Sequence, residues 1–258
     1  MAIDFDDERN KGTYATRSAD REWAEFVREH VDLGGARVAD VGCGGGIYSL
    51  AMLDAGAGHV VGIDGSAAMV DGAKAHAGER GALEFQVGDA AATGREDGEF
   101  DVVLQRALIH HVPDLDAVFA EARRILRPGG VLMVQDRTME DVRRPGGPEH
   151  LRGYFFERYP RLLDVERERR PSAERVSAAL EAAGFESGEP LTFDELRRTY
   201  ASPVELEADI VSRAGRSILH ELDDDELADL ARFVVERLPG RRVVREEDRW
   251  TLWVARAV

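Results

Sequence analysis

Residues 38–46 read Val-Ala-Asp-Val-Gly-Cys-Gly-Gly-Gly, and Asp64 closes the next apolar run, Val60-Val61-Gly62-Ile63. A buried strand that breaks into a glycine-rich turn and then a helix suits a nucleotide-like ligand. Gly42, Gly44 and Gly46 can take φ > 0 and let the backbone approach a ligand with no Cβ in the way. The helix that follows offers N–H donors at its start. Asp64, at a strand tip, has the reach to accept from both hydroxyls of a ribose. These glycines fit the dinucleotide pattern Gly-x-Gly-x-x-Gly only loosely, because position 47 is Ile47.

Three further features narrow the ligand. Asp40 stands two residues before Gly42, where a dinucleotide site needs no acid; it is a ligand-side carboxylate or an ordinary turn acid. Gly88-Asp89-Ala90 ends the third apolar run, so Asp89 is a second carboxylate over the same crevice or a helix cap. Phe100-Asp101-Val102-Val103-Leu104-Gln105 then leads into Arg106-Ala107-Leu108-Ile109-His110-His111. His110 and His111, past a strand end, are candidates for a base working near neutral pH, or packed histidines. Adjacent on a helix, they would point apart and could not chelate one metal together. No metal site is expected. Cys43 reads as a small buried residue.

The elements that must position these groups follow from periodicity. A first helix is expected over Ala19–His30, with Trp23, Phe26, Val27 and His30 on one face. Strands are expected over Arg37–Val41, His59–Ile63, Leu83–Val87, Asp101–Gln105 and Val131–Gln135. Helices between them cover Ile47–Ala55, Ser66–Ala77 and Asp114–Leu126, the last ended by Pro128-Gly129-Gly130. Such alternation with short connections means a doubly wound parallel α/β sheet. After Asp136 the rhythm fails, then returns in a helix over Ser172–Ala183 and a strand near Glu186–Thr192. Phe193–Arg245 reads as mostly helical, and the chain closes on a strand through Trp250-Thr251-Leu252-Trp253-Val254.

Composition sets outer limits. With 258 residues the chain can bury a sizeable core. Its net charge of −16 argues against a nucleic-acid partner, which would require a positive field. No apolar run is long enough to span a membrane, and the first ten residues do not read as a signal peptide. The single cysteine excludes an internal disulfide and suggests a cytoplasmic protein. Nothing in it fixes an oligomeric state.

Taken in order, Val-Ala-Asp-Val-Gly-Cys-Gly-Gly-Gly, Gly-Ile-Asp, Gly-Asp-Ala, Phe-Asp-Val-Val and Leu-Arg-Pro-Gly-Gly resemble the class I S-adenosylmethionine-dependent methyltransferases over about residues 36–136. The resemblance implies a Rossmann-like, mostly parallel seven-stranded sheet whose last strand, about Arg249–Arg256, is antiparallel. It implies that Gly42 and Gly44 lie near the methionine part and ribose, and that Asp64 holds the ribose hydroxyls. Asp89 and Ala90 would face the adenine, Gln105 the methionyl end, with Tyr14, Asp40 and Gly65 also lining the site.

The organisation this suggests is an N-terminal helix and cofactor-binding core over 1–136, a cap insertion at 137–171 and a core helix and strand at 172–192. A helical cap insertion at 193–245 and a terminal core strand at 246–258 would complete it. The two insertions follow strands on the ligand side, which suggests a cap over an acceptor pocket for a small molecule. Arg137, Arg152 and Tyr154 are candidates for acceptor contact, Tyr154 to Tyr159 reads as cap core, and Arg167 to Arg170 as a solvated face. Two other readings use the same turn: a nicotinamide-dependent oxidoreductase, which leaves Asp89 and the histidines without a task, and a non-catalytic cofactor-binding regulator.

Overall fold

In the computed structural model, residues 19, 21–238, 240 and 243–258 are described. Tyr14 lies outside them. The chain divides into two compact units: residues 21–136, 171–192 and 251–258 fall in one, and 137–170 with 193–250 in the other.

The first unit opens with α1 (Arg21–His30), whose Trp23 and Val27 are buried. Strand–helix alternation follows as β1 (Arg37–Val41), α2 (Ile47–Asp54), β2 (His59–Asp64), α3 (Ala67–Ala77) and β3 (Leu83–Val87). Next come β4 (Phe100–Arg106), α4 (Leu115–Ile125) and β5 (Leu126–Asp136). β1, β2 and β4 are buried almost end to end, as expected for parallel strands covered on both faces. Ser66 and Asp114 cap α3 and α4 by accepting from Met69 N and Ala117 N, which fixes where each helix begins. α4 ends before Pro128-Gly129-Gly130, because the chain is already extended at Leu126. One core of Val41, Ile63, Phe100, Val103, Phe119, Val134 and Trp253, with their neighbours, packs α4 and α8 (Ala173–Ala182) against the sheet.

The second unit holds α5 (Met139–Val142), α6 (Arg152–Arg158) and α7 (Leu162–Arg169), then α9 (Pro203–Val211) and α10 (Asp224–Glu236), the last started by an Asp223/Glu226 capping box. Its apolar core draws on both sequence segments, with Leu151, Phe155, Phe156, Leu206, Leu230 and Val234 in one cluster.

The sheet runs β3-β2-β1-β4-β5-β8-β6, with β6 at Phe185–Ser187, β8 at Val244–Ala257, and β7 (Leu191–Tyr200) also paired to β8. β8 is antiparallel to β5, Val134 facing Trp253. Eight strands replace the expected seven: the single strand expected at 186–192 is two, β7 runs eight residues into a stretch expected to be helical, and β8 begins at Val244 rather than about Arg249. The reason is chemical. β7 buries Glu195, Arg197 and Tyr200, and β8 buries Glu246, Asp248 and Trp250, so the inward face alternates with charged residues rather than apolar ones.

Candidate cofactor and active site

The ends of β1, β2 and β4 bring most of the chemistry-bearing residues of the first unit together. Gly42, Gly44 and Gly46 all have positive φ, at 80°, 51° and 77°, a region that an L side chain adopts at a cost. Space also restricts two of them: a Cβ on Gly42 would sit 2.9 Å from Leu108, and one on Gly46 would sit 2.8 Å from Phe85. Gly46 is the N-cap of α2 and offers no side chain to its first turn. The turn is tied to the neighbouring strand by Gly42 N and Cys43 N, which donate to Ile63 O at 2.7 and 3.1 Å.

Asp64, half-buried at the tip of β2, accepts from Gly44 N at 2.8 Å and from Ser66 N at 3.0 Å. Two amides thus aim its carboxylate. Gly65 beside it is exposed. Gly88 N donates to Asp64 O at 3.0 Å, which brings the end of β3 alongside. Asp89 is exposed and folds its own turn by accepting from Ala91 N at 2.7 Å; no helix follows, so it is not a helix cap. Ala90 is half-buried.

Asp40 is fully buried and accepts from the Ser49 hydroxyl at 2.6 Å. Burial pushes its carboxyl up to about 6, against the opposing pull of that hydroxyl; the Asp64 charge adds to the rise and Arg106 opposes it. Gln105 pairs in register with Val41 and Val134 and is 1% exposed. Its amide nitrogen and oxygen have no hydrogen-bond partner among the described residues. A buried amide left with both ends unsatisfied costs stability, and a polar ligand would satisfy it. Arg106 stacks on the Tyr48 ring at 3.7 Å, Tyr48 meets Trp23 edge-on, and Trp23 Nε1 donates to Gln135 at 2.8 Å. Sequence reasoning missed this set, and the adjacency of Arg106 and Gln135 at paired strand ends was its only signal.

After β4 the chain turns at Ala107, which holds φ 52° and donates its N–H to Gln135 O at 2.8 Å. His110 and His111 therefore lie on a turn, not on a helix, and their rings come within 4.0 Å. His110 is buried and His111 exposed. Asp136, the last residue of β5, places its carboxylate oxygens 2.8 and 2.9 Å from His110 Nδ1. Cys43 is buried, and burial raises its thiol well above the usual range, so it is no ready nucleophile. Among the described residues no cluster of three His, Cys, Asp or Glu could hold a metal ion.

The proposed acceptor contacts resolve differently. Arg137 and Arg152 are buried and both pair with Asp248, at 2.7 and 3.1 Å, and Arg137 stacks on Trp250. Their charge is committed inside the second unit. Phe155 and Phe156 belong to its core, with Tyr154 and Tyr159 packed against it. Arg170 is not solvated as expected: it is buried against Glu166.

Residues 39–134 match the family model described as a methyltransferase domain. Those residues are similar to a methyltransferase domain, and the fold is the class I methyltransferase fold. Over 148 residues the chain is 38% identical to a phosphoethanolamine N-methyltransferase of Triticum aestivum, covering 55% of this chain and 28% of that protein. Over 110 residues it is 38% identical to a ubiquinone biosynthesis O-methyltransferase of Methylococcus capsulatus, covering 42% of this chain and 46% of that protein. The chain spans less than half the length of these curated relatives. A solved S-adenosylmethionine-dependent methyltransferase from Mesorhizobium loti superposes with TM-score 0.54 at 21% identity, covering 91% of this chain and 97% of that one. The [4+2]-cyclase SpnF superposes with TM-score 0.57 at 23% identity, covering 92% and 80%. These likenesses establish the fold. The ordered motifs that Asp40, Asp64, Asp89 and Gln105 punctuate suit S-adenosylmethionine: an aimed carboxylate, a glycine-rich turn and an amide unsatisfied among the described residues.

Proposed function

We propose that the protein binds S-adenosylmethionine in the first unit and transfers its methyl group to a small-molecule acceptor that carries a proton on its nucleophilic atom. Asp64 would accept from the ribose hydroxyls, the turn at Gly42–Gly46 would lie along the cofactor, Asp89 and Ala90 would face the adenine, and Gln105 would meet the methionyl end. Bound S-adenosylmethionine supplies a methyl carbon on a positively charged sulfur, and the carbon–sulfur bonding pair stays with sulfur as an acceptor lone pair forms the new bond. The chain's own work is then alignment and proton removal. His110 takes the acceptor's proton on Nε2, and its Nδ1 is held by Asp136.

The observation that carries the cofactor reading is the aimed Asp64 carboxylate beside the glycine turn, with Gln105 nearby in the sheet, buried and without a partner among the described residues. Residues 137–170 and 193–250, which form one unit of their own, are the segments proposed to carry acceptor selectivity. A net charge of −16 supports a small molecule over nucleic acid or an anionic membrane surface. The single buried cysteine supports a reducing, cytoplasmic setting. No helix among the described residues is long and apolar enough to cross a membrane.

Calorimetric titration tests the cofactor reading. S-adenosylhomocysteine is expected to bind with micromolar affinity while NAD gives no heat. Comparable binding of NAD would return the site to an oxidoreductase.

A further inference from the structure

The geometry points to Asp136 as a positioning residue that fixes which nitrogen of His110 carries the proton, and so makes Nε2 the base. This rests on the methyl-transfer reading above and deepens it. Asp136 and His110 come from neighbouring strand ends, and both side chains are almost wholly buried, at 2% and 5% exposure. An ionised carboxylate can only accept, so an Nδ1 within 2.8 Å of one oxygen and 2.9 Å of the other must be the donor. That leaves the neutral ring with its lone pair on Nε2. When the acceptor's O–H or N–H proton arrives there, the imidazolium that forms is already paired with a buried negative charge.

The backbone is shaped for this contact. Ala107 adopts a left-handed conformation uncommon for a residue with a Cβ, and its N–H is anchored on Gln135 O, one residue before Asp136. His111 N donates to Leu108 O and closes the same turn. The turn folds back so that His110 faces the strand end it has just been tied to. The ring of His111 faces that of His110 at 4.0 Å. It is exposed, so solvent moderates its influence. A histidine that merely filled space would not require a carboxylate excluded from water with it, since burying that charge is costly unless it is paired.

The test reads the ring directly, by long-range proton–nitrogen NMR on histidine-labelled protein saturated with S-adenosylhomocysteine. In the wild type, His110 is expected as the Nδ1–H tautomer at neutral pH; an Nε2–H tautomer there would overturn the proposal without any variant. In Asp136→Asn the Nε2–H form should gain at least half of the population, and the ring should titrate at lower pH. S-adenosylhomocysteine affinity should stay within about threefold, under 1 kcal/mol. A folded Asp136→Asn protein with unchanged tautomer and titration would overturn the positioning role. Failure of the methyl-transfer reading shows elsewhere: the wild type itself would then pass no labelled methyl from S-adenosylmethionine to small phenol probes, whatever the tautomer of His110; a His110→Gln variant as fast as an active wild type would instead overturn the base role.

Discussion

Asp40 in the first unit and Glu246 in the second are both fully buried carboxylates, and their environments push them in opposite directions. Burial raises Asp40 to about 6, with one hydroxyl, from Ser49, in partial compensation. Burial would raise Glu246 too, but the Arg197 and Arg216 guanidiniums at 2.9 and 2.6 Å together outweigh it and hold the group below the usual carboxylate range. Around Glu246 the carboxylates are paired: Arg216 reaches Asp209 at 2.6 Å as well, Arg198 reaches Asp209 at 2.7 Å, and Tyr200 lies between the two carboxylates. Among the described residues Asp40 is not paired in this way. The second unit pairs its buried charges with one another, although Glu246 Oε1 and Arg216 Nε have no hydrogen-bond partner among the described residues. In the first unit a whole side-chain amide, that of Gln105, is left open at both ends among the described residues, as a site for a polar ligand requires.

The largest effect should come from breaking the paired set. Arg216→Leu leaves Asp209 and Glu246 with one fewer cation in a water-poor interior, and should cost roughly 3–5 kcal/mol in urea denaturation. A loss below about 1 kcal/mol would mean that solvent reaches the cluster.

A smaller effect, with a sign, belongs to Asp40. Its folded value lies above the ordinary 3.8, so the folded state holds the proton more tightly. The stability this confers is fully present below about pH 4 and is lost as pH rises through about 6. A rise of some two units, at about 1.4 kcal/mol each, is on the order of 3 kcal/mol. Asp40→Asn should abolish that share, so wild type minus variant should fall between pH 4 and 7. A flat difference would show Asp40 to be solvated, and the contrast with Glu246 would lose one side.

The same contrast explains what could be read from the residues alone. The strands through Val38–Val41, Val60–Ile63 and Val102–Gln105 bury apolar runs and were legible, as were helices that start at Ser66 and Asp114. β7 and the first half of β8 were not, because Glu195, Arg197, Glu246 and Asp248 occupy inward positions where periodicity looks for apolar residues. The glycine turn and Asp64 were legible because their spacing along the chain is local. Asp136 was not, since its link to His110 crosses 26 residues and depends on a left-handed Ala107 that no residue type announces. Arg137 and Arg152 looked available for a ligand for a related reason: Asp248, which holds them, is about a hundred residues away.

The central claim is that Asp64 is a ribose acceptor rather than only the clasp of its own loop, and S-adenosylhomocysteine titrated calorimetrically into wild type and Asp64→Ala decides it. Loss of the Gly44 and Ser66 contacts will lower the melting temperature, so affinity is compared well below it. Affinity should fall at least about thirtyfold, roughly 2 kcal/mol, since the hydroxyl bonds to a charged acceptor are lost. An unchanged affinity in folded Asp64→Ala protein would contradict the account.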